Sequence, residues 1–351
     1  AAGTAAVSNT RNGIRVNGGA RFNRIGTNLD GIADSEEGNV IAFNGATGVF
    51  VSGADTTGTS IRGNSIFSNG GLGIDLAGGI EDALGITAND QDDLDVGANN
   101  LQNSPEITLA RVTSDVSIEG QLQSVPDSTF EIDLYANTSG TAAGTEEAER
   151  FLTSVSIVTD SNGNAVFSVT LPQSAVGAGE LITSTATDVA GNTSELSSGY
   201  IVTGKKGNQL VTGGGKGNDQ IVLTSGSVVV TINGVELGHF EDVTDIQVFG
   251  LGGDDLITVA DNLTQPTRLD GGDGDDILVG GGGTNIIVGG DGNDSLTGGI
   301  GTNTLDGGDG DDILQDGGGT NTVIGGTGSN MFIDGGGTND FETSVGGTLS
   351  V

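Results

Sequence analysis

The chain has 351 residues, 66 of them glycine, no cysteine, and 47 acidic against 11 basic side chains, for a formal charge of −36 at pH 7. That charge repels nucleic acid and anionic lipid, and without cysteine neither a disulfide framework nor a thiolate metal site can form. No run of 18 apolar residues occurs, so no transmembrane helix is encoded and no membrane insertion is expected.

Three all-β segments are predicted in chain order. Residues 1–104 read as a parallel β-helix with an acidic closing loop, because a short-strand pattern returns every 25 residues. Asn39-Val40-Ile41 returns as Asn64-Ser65-Ile66, Asn44-Gly45 as Asn69-Gly70, and Gly48-Val49-Phe50-Val51 as Gly73-Ile74-Asp75-Leu76. A looser earlier copy holds Gly13-Ile14-Arg15-Val16 and Asn23-Arg24-Ile25-Gly26. Inward Ile and Val should stack between coils, and inward Asn should form amide ladders at the turns. These copies, and the stretch Asn64–Leu76 followed by Gly97–Pro105, resemble the right-handed β-helix repeats of large bacterial surface proteins. The resemblance implies an architecture and a surface location, not a reaction.

Residues 105–203 hold about seven apolar-alternating runs, including Val116–Leu122, Phe130–Tyr135, Ala165–Leu171 and Leu181–Thr187. Turn clusters such as Asp160-Ser161-Asn162-Gly163 separate them, which predicts an immunoglobulin-like β-sandwich acting as a spacer. The stretch Ala186–Ser194 is similar to endings of bacterial surface sandwich modules.

Residues 204–351 are predicted to form a parallel β-roll with an inserted hairpin. Gly214–Val222 is a nonapeptide of the form G-G-x-G-x-D-x-U-x, and Asn233-Gly234 is a type I′ turn signal between Val228–Ile232 and Val235–Leu237. Gly250–Thr258 approximates the nonapeptide again, and eight copies then run without a break from Gly271 to Glu342. Their eighth position is always apolar: Leu278, Ile287, Leu296, Leu305, Leu314, Val323, Phe332 and Phe341. The glycines allow the turn and leave carbonyl oxygens at its centre, which together with Asp carboxylates make the hard-oxygen cage that calcium prefers.

The repeats resemble the hemolysin-type (RTX) β-roll. That resemblance implies calcium held between same-edge turns one coil, eighteen residues, apart. Odd copies carry Asp273, Asp275 and Asp276; Asp291, Asn293 and Asp294; Asp309, Asp311 and Asp312. Even copies carry Thr284-Asn285, Thr302-Asn303, Thr320-Asn321 and Thr338-Asn339 instead. One edge of the roll should therefore be acidic and the other neutral, its Asn side chains capping turns and stacking without metal. Calcium is expected between Asp276 and Asp294 and between Asp294 and Asp312, with a further site between Asp255 and Asp276 despite a spacing of 21. Asn330 replaces the acid in the last odd copy, so binding should fade there. Asp90, Asp93, Asp95 and Asn99 form a second candidate site, a loop with alternate acids followed by glycine.

The functional expectation is a calcium-stabilised bacterial structural protein, secreted or attached to the cell surface, and not an enzyme. Head-to-tail self-association into a fibre or layer, or contact with other surface proteins, is expected, since solenoid ends tend to pair. An adhesin binding glycans or another cell is the alternative, although Tyr135 and Tyr200 are the only tyrosines and tryptophan is absent. A calcium-dependent polysaccharide lyase or hydrolase, with Arg11, Arg15, Arg21, Arg24 and Arg62 facing an acidic glycan, is a third reading. His239, the single histidine, has no nucleophile or acid arranged around it in the sequence. The chain begins with Ala and reads as a mature or excised segment.

Overall fold

The computed structural model describes residues 9–30, 34–82, 85–138, 146–342 and 348–350. Apart from the four-residue helix Asp34–Glu37 and three short 3-10 turns, its regular structure is β. Two compact units emerge, one of Ala1–Ala110, Ser117–Leu171 and Glu180–Gly199, the other of Arg111–Val116, Pro172–Gly179 and Tyr200–Val351.

In the first unit, alternating apolar residues build the coils of a β-solenoid. Ile14–Val16, Val49–Ser52 and Ile74–Ala77 stack in parallel, with Ile14 beside Val49 and Val49 beside Ile74. Ile25 stacks on Ile61 and Ile41 on Ile66 along the two other faces. All of these inward residues except Ile14 are buried. The Asn ladder forms as expected: Asn9 Nδ2 donates to Asn44 Oδ1 at 3.0 Å, and Asn44 Nδ2 to Asn69 Oδ1 at 2.8 Å. Those two steps span 35 and 25 residues, because the earlier coil takes in the segment with the helix Asp34–Glu37.

The strands that follow close the last coil rather than merely succeeding it. Ile66 and Ala148 exchange two backbone hydrogen bonds of 2.8 Å. The Ile61 N–H donates to Thr193 Oγ1 at 2.9 Å, and Glu195 accepts the N–H groups of Leu76 and Thr87 at 2.8 and 2.9 Å. Tyr135, Ala148 and Leu196 share one buried core with Ile61, Ile66, Ile74 and Leu76. Packing is therefore continuous across the boundary expected at residue 105. Thr129–Asn137 lies between Arg150–Val158 and Leu181–Asp188, antiparallel to both. Asn164–Pro172, Asp115–Gln123 and Glu106–Val112 make a second sheet in that order.

In the second unit, two sheets face each other across a narrow core. One runs through Asp245–Gly252, Thr267–Asp273, Asn285–Asp291, Asn303–Asp309, Thr320–Ile324 and Thr338–Glu342, all parallel. The other runs through Gln220–Thr224, Leu256–Val259, Ile277–Val279, Ser295–Thr297, Ile313–Gln315, Ser329–Ile333 and Thr348–Ser350. Leu278, Ile287, Leu296, Leu305, Leu314 and Val323 are fully buried in file, so the apolar eighth position is the core.

Antiparallel strands cover the first edge of each sheet: Gly204–Lys206 beside Gln209–Gly213, and the hairpin Val228–Ile232/Val235–Phe240 beside Gln220–Thr224. Asn233 and Gly234 have φ of 51° and 78°, the left-handed pair that a type I′ turn needs.

Candidate metal centre

Each repeat turns at one edge between the two sheets, and its sixth residue points into the turn. On the acidic edge these residues are Asp255, Asp276, Asp294 and Asp312, all at most 2% exposed. They form a ladder through one of their two oxygens. The Asp255 N–H donates to Asp276 Oδ1 at 2.8 Å, Asp276 to Asp294 at 2.8 Å, Asp294 to Asp312 at 2.9 Å, and Asp312 to Asn330 Oδ1 at 2.8 Å.

The Oδ2 atoms of these four aspartates are buried and have no hydrogen-bond partner. Burial, reinforced by neighbouring carboxylates, pushes Asp255 up to about 8, Asp276 to about 6 and Asp294 to about 7, and raises Asp312 as well. The one arginine in these repeats, Arg268, pairs with Asp270 at 2.6 Å. Glycine at the first position makes room for this row, since a Cβ on Gly271, Gly289 or Gly307 would collide with the Oδ2 of Asp276, Asp294 or Asp312. Buried carboxyl oxygens without donors, one coil apart, whose charged form burial disfavours until a cation is present, fit a hard divalent cation.

The spacing of 21 between Asp255 and Asp276 does not break the row. Leu256 still pairs with Ile277, and the extra length falls in residues 260–266 at the other edge. The fifth-position residues Asp275, Asn293 and Asp311 are exposed and form an outer ladder in the opposite sense. The N–H of Asp275 donates to Asp254 Oδ1 at 3.0 Å, that of Asn293 to Asp275 Oδ1 at 2.7 Å, and that of Asp311 to Asn293 Oδ1 at 2.9 Å. Asp273, Asp291 and Asp309 are exposed; their backbone carbonyls accept Gly253, Gly274 and Gly292 N–H at 2.7 to 2.8 Å.

Asp219 and Asp254 were not among the expected ligands. Asp219 begins the inner ladder by donating its N–H to Asp255 Oδ1 at 2.7 Å, but both its own oxygens are occupied. Oδ1 accepts the hairpin's Asn233 Nδ2 at 2.6 Å, and Oδ2 accepts the Gly215 N–H at 2.8 Å. Its nonapeptide, Gly214–Val222, carried the signal, but the inserted hairpin separates it from the next repeat. Asp316, at the first position of an even copy, is also buried with an unpartnered Oδ2.

Residues 268–296 and 297–332 match the family model of the RTX calcium-binding nonapeptide repeat, four copies. These are RTX calcium-binding repeats in a β-solenoid. No curated protein matches the chain.

In the first unit, Asp90, Asp93 and Asp95 each bring an oxygen within 4.8 Å of the others. Asp90 Oδ1 and Asp95 Oδ1 are buried and unpartnered. Burial raises Asp93 to about 6, against hydrogen bonds from Ser124 Oγ at 2.8 Å and the Asn103 N–H at 3.2 Å. Asn99 departs from the expected set. It is fully buried, with Oδ1 accepting the Thr59 N–H at 2.9 Å and Nδ2 donating to the carbonyls of Thr59 and Thr193 at 2.7 and 3.0 Å. Its amide serves the closure of the solenoid coil, a task that a local acidic pattern does not reveal.

Proposed function

We propose that this chain is a calcium-stabilised extracellular structural protein of a bacterial cell surface or matrix, with the strands of residues 105–203 as an immunoglobulin-like spacer. The observation that carries the reading is the row Asp255, Asp276, Asp294 and Asp312, each buried with one unpartnered oxygen, lying within or beside the RTX match. Calcium, when bound, supplies the positive charge that this row lacks. The Asp90, Asp93 and Asp95 cluster is a second place where the same ion could be held.

A scaffold without catalysis is the best reading of the remaining polar groups. His239 is exposed and paired with Glu236 at 2.9 Å. Arg62, one of the arginines considered for an acidic glycan, is committed to the fully buried Asp133 at 2.6 Å. The closed last coil of the first unit and the antiparallel strands over the first edge of the roll disfavour head-to-tail stacking through either of those ends. Head-to-tail self-association into a fibre or layer would have to use surfaces other than these two ends.

Sedimentation and thermal melting in millimolar calcium and then in chelator test the proposal. The expected result is a roll that melts at a markedly lower temperature in chelator. Identical melting in both conditions would remove the calcium role; calcium-dependent large assemblies would support a filament subunit, and a monomer in both conditions would rule one out.

A further inference from the structure

The sixth position of the repeat is Asp on one edge and Asn285, Asn303 and Asn321 on the other, and the two side chains are placed alike. Oδ1 takes the same task at one step of the neutral edge: Asp294 Oδ1 accepts the Asp276 N–H at 2.8 Å, and Asn321 Oδ1 accepts the Asn303 N–H at 3.2 Å, whereas the Asn285 N–H goes to the Thr302 carbonyl at 2.9 Å. The second terminal atom also occupies the same place. A Cβ on Gly289 would collide with Asp294 Oδ2, and a Cβ on Gly298 would meet Asn303 Nδ2 at 2.8 Å.

What differs is the surroundings that this atom engages. The aspartate Oδ2 has no partner. Asn285 Nδ2 has four oxygen neighbours: the carbonyls of Gly281, Gly283 and Gly298 at 3.0, 3.1 and 2.8 Å, and Asn303 Oδ1 at 2.8 Å. Asn303 Nδ2 likewise reaches the carbonyls of Gly299 and Gly301 at 3.4 and 3.0 Å and Asn321 Oδ1 at 2.9 Å. Two N–H groups cannot serve four acceptors with straight bonds. The amide NH2 group sits instead as a partial positive charge inside a cage of glycine carbonyls, drawn from the second and fourth positions of its own repeat and, for Asn285, also from Gly298 at the first position of another.

We infer that on the neutral edge the asparagine amide nitrogen takes the place of the cation, so that the roll binds calcium along the Asp255–Asp312 edge and is self-stapled along the Asn285–Asn321 edge. The inference rests on the calcium reading of the acidic edge. It implies that exchanging two atoms, Nδ2 for Oδ2, converts a self-filled turn into a calcium site and the reverse exchange converts it back. Asp316 stands at the first position of its repeat and lies outside this sixth-position row.

Calcium titration calorimetry on the full chain tests the exchange in both directions. Asn285→Asp/Asn303→Asp is expected to take up one more calcium per chain than the wild type and to lose the roll's structure in chelator. Unchanged stoichiometry, in a variant whose circular dichroism in calcium matches the wild type, overturns the inference. Asp276→Asn/Asp294→Asn guards against a first variant that fails to fold. It is expected to lose the calcium of the acidic edge while keeping a folded roll with the same melting temperature in calcium and chelator; an unfolded roll or undiminished calcium uptake overturns the inference.

Hydrogen exchange of the wild type in chelator gives a readout independent of stoichiometry. The Asn285 and Asn303 N–H groups should stay protected while those of Asp276 and Asp294 exchange at least tenfold faster than in calcium, and equal loss on both edges counts against the amide's role. A wild type that takes up no calcium at all removes the calcium reading itself, a failure distinct from an unaltered count in the variants.

Discussion

The row of aspartates makes the effect of a substitution depend on its place along the edge. Three intervals have an unpartnered Oδ2 at both ends: Asp255 to Asp276, Asp276 to Asp294, and Asp294 to Asp312. Asp219 adds no fourth interval, because Asn233 and Gly215 already occupy its oxygens. An ion that binds only the folded roll adds about 1.4 kcal/mol per site for each tenfold rise in calcium above its dissociation constant. Wild-type stability should therefore climb by about 4 kcal/mol per decade of calcium across three sites.

Asp294→Asn disables two intervals and should leave a slope of about 1.4 kcal/mol per decade, whereas Asp255→Asn disables one and should leave about 2.7 kcal/mol. Urea unfolding at a series of calcium activities measures these slopes. A Tyr135→Phe background leaves Tyr200, buried in the second unit, as the one tyrosine that reports on the roll. Equal slopes for the two variants would refute sites shared between successive aspartates.

Further outcomes follow from single residues. Leu296→Ala removes a fully buried side chain stacked between Leu278 and Leu314 and should cost about 2–5 kcal/mol in saturating calcium, read from urea midpoints. Gly289→Ala sets a methyl group against Asp294 Oδ2 and the Gly307 carbonyl, and calorimetry should show calcium affinity down about tenfold, equivalent to about 1.4 kcal/mol. Arg62→Ala strands the buried Asp133 and should destabilise the first unit by about 3–5 kcal/mol, a loss that Arg62→Ala/Asp133→Ala should partly recover in melting experiments. Glu195 is raised from 4.5 to about 7 by burial, so the folded first unit holds this proton more tightly than the unfolded chain. Its contribution is greatest below pH 4.5 and falls through pH 7, by at most about 3 kcal/mol. Glu195→Gln should flatten that part of the pH dependence in urea titrations, and an unchanged profile would show that other buried acids set it.

The roll was legible because its constraint is periodic. One apolar residue per nine and a glycine wherever the next coil presses close leave little freedom, so the Leu278 to Val323 core and the alternation of acidic and neutral edges follow from spacing. The Asn233-Gly234 hairpin was legible for a similar reason, since its turn geometry is set by two adjacent residues. The closures were not. Glu195 meets Leu76 across 119 positions and Asn99 meets Thr59 across 40, and no local pattern encodes such pairings. Asp219 shows the same limit within a recognisable repeat: its nonapeptide matches, but Asn233, brought in by the hairpin, neutralises it as a ligand.

The two departures from a regular coil, the hairpin between Thr224 and Asp245 and the longer loop at residues 260–266, both fall on the neutral side. From Gly214 to Asp219, Gly250 to Asp255 and Gly271 to Asp276, the acidic turn keeps the same interval. One side of the roll must keep count, because an extra residue would move an oxygen away from its neighbour on the next coil. The other side tolerates new sequence. An added loop would have to spare Leu263, which is buried in the core and accepts the Gly282 N–H at 2.9 Å, so the tolerance of this edge is for extra length and not for loss of its packing.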